Sequence, residues 1–243
     1  MRLDGRFTND RLEIRQFSGR AGEGTVQASG TVSLSSANGF PMNIKILLDR
    51  ARLARSDALG TVVSGNLAVT NSAADGALVA GELTLPELRY QIIRQGGAEV
   101  RELKGVRRKG EALPVPGARP QTASAPSLFK LKIRVLADNQ IFVTGMGLES
   151  EWETDLRITG TTAAPRVTGS LDVIRGTYSF SGKRFELDRG RITFNSNDLM
   201  NPTINISAST TVENVNAILN VTGTAQNPQI AFTSTPSLPQ DEV

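Results

Sequence analysis

The sequence predicts an all-β chain, one long curved antiparallel sheet of roughly a dozen strands of ordinary length. Three observations predict it. Apolar and polar residues alternate with period two through most of the chain, the mark of strands with one face covered. A unit of glycine, small or polar residue, apolar residue, any residue, apolar residue recurs at Gly30-Thr31-Val32-Ser33-Leu34, Gly65-Asn66-Leu67-Ala68-Val69, Gly81-Glu82-Leu83-Thr84-Leu85 and Gly169-Ser170-Leu171-Asp172-Val173, with Gly190-Arg191-Ile192-Thr193-Phe194 as a fifth variant. The separators Thr162-Ala163-Ala164-Pro165, Ser181-Gly182-Lys183 and Asp188-Arg189-Gly190 are short and turn-forming, so successive strands should lie antiparallel side by side. Such self-similarity suits stacked β repeats, although any β-meander would read this way.

From Arg2 to Leu34, short strands are expected between Gly19, Gly22, Gly24 and Gly30, closed by Asn38-Gly39 and Pro41. Residues 42–60 are the one stretch without clean alternation: Ile46, Leu47, Leu48 and Leu53 mix with Arg50, Arg52, Arg55 and Asp57, which predicts a helix there. Strands resume at Gly65 and Gly81, so 1–100 forms an upstream β-repeat segment. Residues 101–127 read as a basic, proline-rich loop or linker, because alternation vanishes and six cations face two carboxylates, a local +4 against +3 for the whole chain. That loop could touch anionic headgroups or simply be solvated. From 128 to 243 alternation returns at Leu131, Ile133 and Val135, at Ile141-Phe142-Val143, and at Leu156 and Ile158. A longer echo, Thr159-Gly160-Thr161 with Pro165, recurs as Thr222-Gly223-Thr224 with Pro228.

Composition narrows the function. The 243 residues include no cysteine and no histidine, so no disulfide forms, and the softest metal ligands and the commonest general base are missing. The hydrophobic fraction of 39% is low, as expected when only alternate strand residues are apolar. Glu149, Glu151, Glu153 and Asp155 alternate with Ser150, Trp152 and Thr154, which puts four carboxylates on one face of one strand. A glycosidase needs two facing each other across a substrate. Asn195, Asn197 and Asp198 lack calcium-loop spacing, and Ser181 near Lys183 is the only hint of a serine–lysine pair. Neither a catalytic site nor a cofactor is expected. The aromatics Tyr178, Phe180, Phe185 and Phe194 share the apolar parity rather than interleaving with cations, which argues against nucleic acid. No apolar run of membrane-spanning length occurs and Met1 leads straight into strand-like sequence, so any export signal or anchor is expected on a longer parent chain.

The apolar face must be covered, by a second sheet in a filled sandwich or by the sheet folding lengthwise into a trough. A trough would offer an acyl chain about 0.8 kcal/mol per buried methylene.

The run VTGSLDVIRGTYSFSGKRFELDRGRITF, preceded by DLRITGTTAAP and followed by NPTINISA and VTGTAQNPQIAFTSTPSLPQDEV, resembles the C-terminal domain of TamB, the inner-membrane component of the bacterial translocation and assembly module. The signature Arg175-Gly176-Thr177-Tyr178 through Gly190-Arg191-Ile192-Thr193-Phe194 is its most specific part. The match is close from Asn139 to Val243 and looser from Gly65 to Tyr90. The resemblance, shared with AsmA-like and bridge-like lipid carriers, implies a sheet folded like a taco around an apolar interior. It also implies a non-enzymatic role in the periplasm, phospholipid as cargo, a TamA-like outer-membrane barrel as partner, and outer-membrane proteins or autotransporters as clients. It further implies an N-terminal membrane anchor and an apolar segment after Val243 on a longer parent chain. The expected apolar wall consists of Val167, Leu171, Val173, Tyr178, Phe180, Phe185, Leu187, Ile192, Phe194, Ile204, Ile206, Leu219, Val221, Ile230 and Phe232. A rival reading is a scaffold whose open edge templates strands of a client protein.

Overall fold

The computed structural model describes residues 1–35, 39–56, 58–72, 75–93, 129–195, 198–199, 201–212 and 214–237. The upstream strands are β1 (Arg2–Phe7), β2 (Arg11–Ala21), β3 (Gly24–Ser33), β4 (Met42–Arg55), β5 (Leu59–Ser72) and β6 (Gly76–Gln91). They are followed by β7 (Lys130–Gly145), β8 (Leu148–Gly160), β9 (Pro165–Phe180), β10 (Lys183–Phe194), β11 (Thr203–Val212), β12 (Val215–Thr224) and β13 (Asn227–Thr235). All belong to one 13-stranded sheet whose spatial order is the chain order, and no helix occurs among the described residues. The sheet is open: β1 pairs only with β2, and β13 only with β12. The all-β, curved-sheet expectation is therefore met.

Three details depart from it. The stretch read as a helix is β4 and the start of β5: Ile44, Ile46 and Leu48 pair with Val69, Leu67 and Gly65 in regular antiparallel register. Register shifts between Leu48 and Ala51 and between Arg52 and Ala54 break the parity beyond Leu48, which is why the alternation looked spoiled. Secondly, β6 and β7 pair in parallel, Gly81 against Ile133 and Leu83 against Val135, whereas every other neighbouring pair is antiparallel. The chain thus leaves β6 at one end of the sheet and enters β7 at the other. The expected 101–127 linker lies outside the described residues. Thirdly, Asp188-Arg189-Gly190 is not a turn but a bulge inside β10, where Leu187 pairs with Ala208 and Arg189 with Ser207.

Similar irregularities interrupt β2 between Ile14 and Phe17, β5 between Val62 and Ser64, β7 between Ala137 and Ile141, and β9 around Ile174. They fall on strand after strand near mid-length. Because a bulge bends its strand and raises local twist, this line curves the sheet across its strands. Neighbouring side chains catch the amides freed by two of the offsets. Arg50, with φ of 45°, donates its N–H to Ser64 Oγ at 2.9 Å, and Gln140, with φ of 67°, donates its own to Glu151 Oε1 at 3.4 Å.

The repeated glycine unit has a backbone cause as well. Gly169 has φ of 126°, and a Cβ there would lie 2.2 Å from the Asp155 carbonyl oxygen of β8. At Gly65 the figures are 137° and 2.2 Å, to Glu82 O, and Gly30 and Gly81 share the geometry. Only glycine permits that conformation beside so close a partner strand. Gly190 differs: its open side is filled by the Trp152 ring, 3.1 Å from where a Cβ would stand.

Candidate functional site

The register places apolar residues in rows across one face of the sheet. Ile133, Ile158 and Val167 make one row. Leu88, Ile141, Trp152 and Val173 make another, and Leu187, Ala208, Leu219 and Phe232 a third. Packing condenses these rows into three clusters. Upstream, Leu48, Ala51 and Val63 are buried among Ala21, Val26, Ile46, Leu83 and Leu85. In the middle, Ala137, Ile141 and Trp152 are buried among Leu85, Leu88, Val143, Leu171, Val173, Ile192 and Ile206. Downstream, Phe185, Ala208, Ala217 and Leu219 are buried among Tyr178, Leu187, Val221 and Phe232. Leu85 belongs to the first two clusters, and Val173 and Ile192 lie on the strands that carry Tyr178 and Phe185. One apolar strip therefore crosses the strands from β2 to β13.

Of the wall residues expected from sequence, ten join these clusters: Leu171, Val173, Ile192 and Ile206 around Trp152, and Tyr178, Phe185, Leu187, Leu219, Val221 and Phe232 downstream. Phe180 is half exposed, with its ring centroid 6.2 Å from that of Tyr178 and 6.0 Å from that of Phe232. Val167, Phe194 and Ile204 are partly buried on the same face outside the clusters, and Ile230, on the edge strand, is exposed. The parity of the wall is not constant along a strand. Val167, Leu171 and Val173 are odd-numbered whereas Tyr178 and Phe180 are even, because Trp152 pairs with Val173 and Glu151 with Arg175, leaving Ile174 as the extra residue. In β10 the extra Asp188 likewise carries the wall from Phe185 and Leu187 to Ile192 and Phe194.

Sequence reasoning did not place Trp152 in the wall, although its parity opposite Glu151 and Glu153 was the available signal. Among the described residues it is the best-buried large side chain, 1% exposed. Its indole Nε1 donates to Ser150 Oγ at 2.8 Å, and Ser150 donates to the Val143 carbonyl at 3.1 Å. Thr154 is satisfied by the Ser170 carbonyl at 2.7 Å. Polar groups at the base of this face are thus paired, as burial demands. Thr61, opposite Leu88 in the register, has a shielded hydroxyl without a hydrogen-bond partner among the described residues.

The opposite face is charged. Asp155 accepts two bonds from Arg134, at 3.0 Å from Nε and 2.8 Å from Nη2, while Arg134 also approaches Glu82 and Arg157 approaches Asp155. The hydrogen bond from Arg134 holds the Asp155 carboxyl below its ordinary range, and the same bond raises the Arg134 guanidinium. Glu151 pairs with Arg175 and Asp172 with Arg191. Two of the four alternating carboxylates are therefore held by arginines on neighbouring strands, and no group of acidic residues able to hold a metal ion occurs among the described residues. Nor is any described helix long and apolar enough to cross a membrane.

A profile of the family described as the TamB C-terminal domain matches residues 15–243, nearly the whole chain. The chain belongs to the TamB C-terminal domain family. Membership gives it a TamB-like role in the translocation and assembly module, within a non-enzymatic assembly and transport component. The TamB domain is periplasmic in an inner-membrane-anchored protein, and TamB-family proteins work with TamA-like outer-membrane components. The apolar strip from β2 to β13 lies almost wholly inside the matched range.

Proposed function

We propose that the apolar face is a lipid-shielding groove: acyl chains lie along the strip, headgroups stay in water, and the TamB-like parent moves phospholipid across the periplasm in support of outer-membrane protein and autotransporter assembly. The observation that carries this reading is the continuity of the apolar strip across successive strands, which offers a chain near-equivalent contacts from one strand to the next. In this reading the wall comprises the fifteen residues expected from sequence, extended upstream through Trp152, Ile141, Leu85 and Leu48. The lipid partner is phospholipid, the protein partner a TamA-like barrel, and no nucleic acid is involved. Residues 1–100 and 128–243 serve as two stretches of one groove, joined through the 101–127 loop.

One observation favours a second reading. The edge strand β13, Asn227–Thr235, has no charged residue, so it lacks the lysines with which edge strands usually discourage pairing. A client strand could add there by backbone hydrogen bonding.

Native mass spectrometry of the detergent-free protein, with extraction and identification of bound lipid, separates the two. The groove reading expects co-purified phospholipid, lost in Leu171→Asp and in Ile204→Asp, the second being outside the packed clusters and so less prone to unfold. Lipid retained in both folded variants, or a lipid-free mass after incubation with phospholipid vesicles, would overturn it. The edge reading instead expects client binding that survives both substitutions and is lost when proline replaces Ala231.

A further inference from the structure

The two edge strands of the sheet differ. β1, six residues long, carries Arg2, Asp4 and Arg6, and all its residues are exposed. Charges on an edge strand discourage a further strand from pairing there. β13, nine residues long, carries none. From Leu199 to Gln240 the sequence has a single charged residue, Glu213, so two copies of this part of the chain meet without charge repulsion at the edge.

The register fixes which backbone groups of β13 face outward. β12 and β13 are joined by Ala225 and Gln226, with Thr224 opposite Asn227. In a hairpin with a two-residue loop the flanking pair is hydrogen-bonded, and bonded pairs then alternate with non-bonded ones. Gln229, Ala231 and Thr233 therefore bond to β12, whereas Pro228, Ile230 and Phe232 turn their backbone groups to the open side. Pro228 suits its place, having no N–H that would need a partner there. Ile230 and Phe232 also project their side chains onto the apolar face: Phe232 packs on the downstream cluster, while Ile230 stays 60% exposed.

We propose that this edge pairs with β13 of a second copy of the chain, antiparallel about a two-fold axis at Ala231. Nine residues then overlap end to end, with Asn227 opposite Thr235, Gln229 opposite Thr233, Ile230 opposite Phe232, and Ala231 opposite Ala231 of the second copy. This full overlap is the register that brings outward amides to outward carbonyls, giving about four backbone hydrogen bonds between Ile230 and Phe232 of the two copies. It also keeps the faces matched: exposed Ile230 packs on Phe232 of the second copy, and the other face brings together only uncharged residues. β1 has no such register, because its full self-overlap sets Arg2 against Phe7 and Leu3 against Arg6, the polar face against the apolar one. The match of β13 to itself is what selects the second copy as occupant. The two sheets merge into one, and the apolar strip runs on into the second copy. One strand pair is a small interface, so the dimer depends on concentration. It occupies the edge at which a client strand would add and competes with it there, and it does not depend on lipid in the groove.

Sedimentation of the chain over a range of concentrations, together with oxidative cross-linking, tests it. The mass is expected to rise from monomer to dimer and stop there. Two Ala231 residues in a non-hydrogen-bonded pair have Cα atoms about 4.5 Å apart, within reach of a disulfide, and the chain has no cysteine of its own. Ala231→Cys should therefore form a covalent dimer on oxidation, whereas Gln229→Cys, about 13 Å from its own copy in this register, should not. Ala231→Lys and Ala231→Glu, each placing like charges across the axis, should weaken the dimer about tenfold, and mixing the two variants should restore it. Ala231 is exposed and lies on the face away from the groove, and circular dichroism confirms that each variant folds. A monomer at every concentration, equal cross-linking of the two cysteine variants, or no recovery on mixing would overturn the proposal. So would growth past the dimer into filaments, the mark of β13 pairing head to tail with β1, and a monomer that takes up a client strand at β13 would assign the edge to clients instead.

Discussion

Trp152 shows how much one side chain contributes to the inner face. It fills the space above Gly190, touches the wall of β7 and β9, and satisfies its indole N–H through Ser150. Trp152→Ala removes that volume where the surrounding strands cannot close in, because Gly190 offers no side chain to fill it. A loss of about 3–5 kcal/mol is expected, measured as a shift in the urea midpoint at unchanged slope. Asp155 is the corresponding residue on the charged face. Its folded pKa is depressed by Arg134, so its contribution to stability is present above its unfolded pKa and is lost as pH falls through the folded value. Arg134, raised from an already high value, stays cationic throughout that range. Asp155→Asn is therefore expected to reduce stability at neutral pH and to flatten the stability–pH curve in the acid range, read from thermal midpoints between pH 6 and pH 3, about the span in which a carboxylate titrates. An unchanged acid limb would show that the pair does not couple to folding.

Among the elements, the bulges matter more than the turns. β9 and β10 each use one extra residue, Ile174 or Asp188, to keep both halves of a long strand facing the same apolar strip while the strand bends. A strand of constant parity would send either Phe185 and Leu187 or Ile192 and Phe194 into water. Deleting Asp188 restores a regular strand and should turn one of these halves outward, with the loss of several buried apolar contacts. The expected outcome is a protein that exposes apolar surface, detected as dye binding and aggregation on purification, whereas deletion within the Ser181-Gly182 turn should be better tolerated. If the Asp188 deletion folded with the parent's stability, the bulge would not be setting the facing of β10.

On the scale of the whole molecule, each strand touches mainly its sequence neighbours, and the sheet stays open at β1 and β13. Stability in such an array is a sum of neighbour interfaces and should decline toward the ends. All six residues of β1 are exposed, whereas β7 and β8 contain Ala137, Ile141 and Trp152. Amide hydrogen exchange should accordingly be fastest in β1 and slowest in β7 and β8, and uniform protection from β2 to β13 would indicate a single cooperative unit instead. The parallel junction of β6 with β7 is what merges the two stretches of antiparallel strands into one sheet, so that the upstream and middle clusters meet through Leu85.

The alternation around Gly169 and Gly65, the turn at Ser181-Gly182 and the signature from Arg175 to Phe194 determined by themselves the fold class, the family and which residues of β9 and β10 share the apolar parity. Period two is a local property of each strand and needs no knowledge of its partners. Only the tertiary structure decided that residues 42–60 are strand, that Asp188-Arg189-Gly190 is a bulge, and that β6 and β7 run parallel. It also decided that Trp152 anchors the middle cluster. In each case the cause is pairing between residues distant in sequence. A bulge is defined by the strand opposite it, and a parallel pair by where the chain re-enters the sheet.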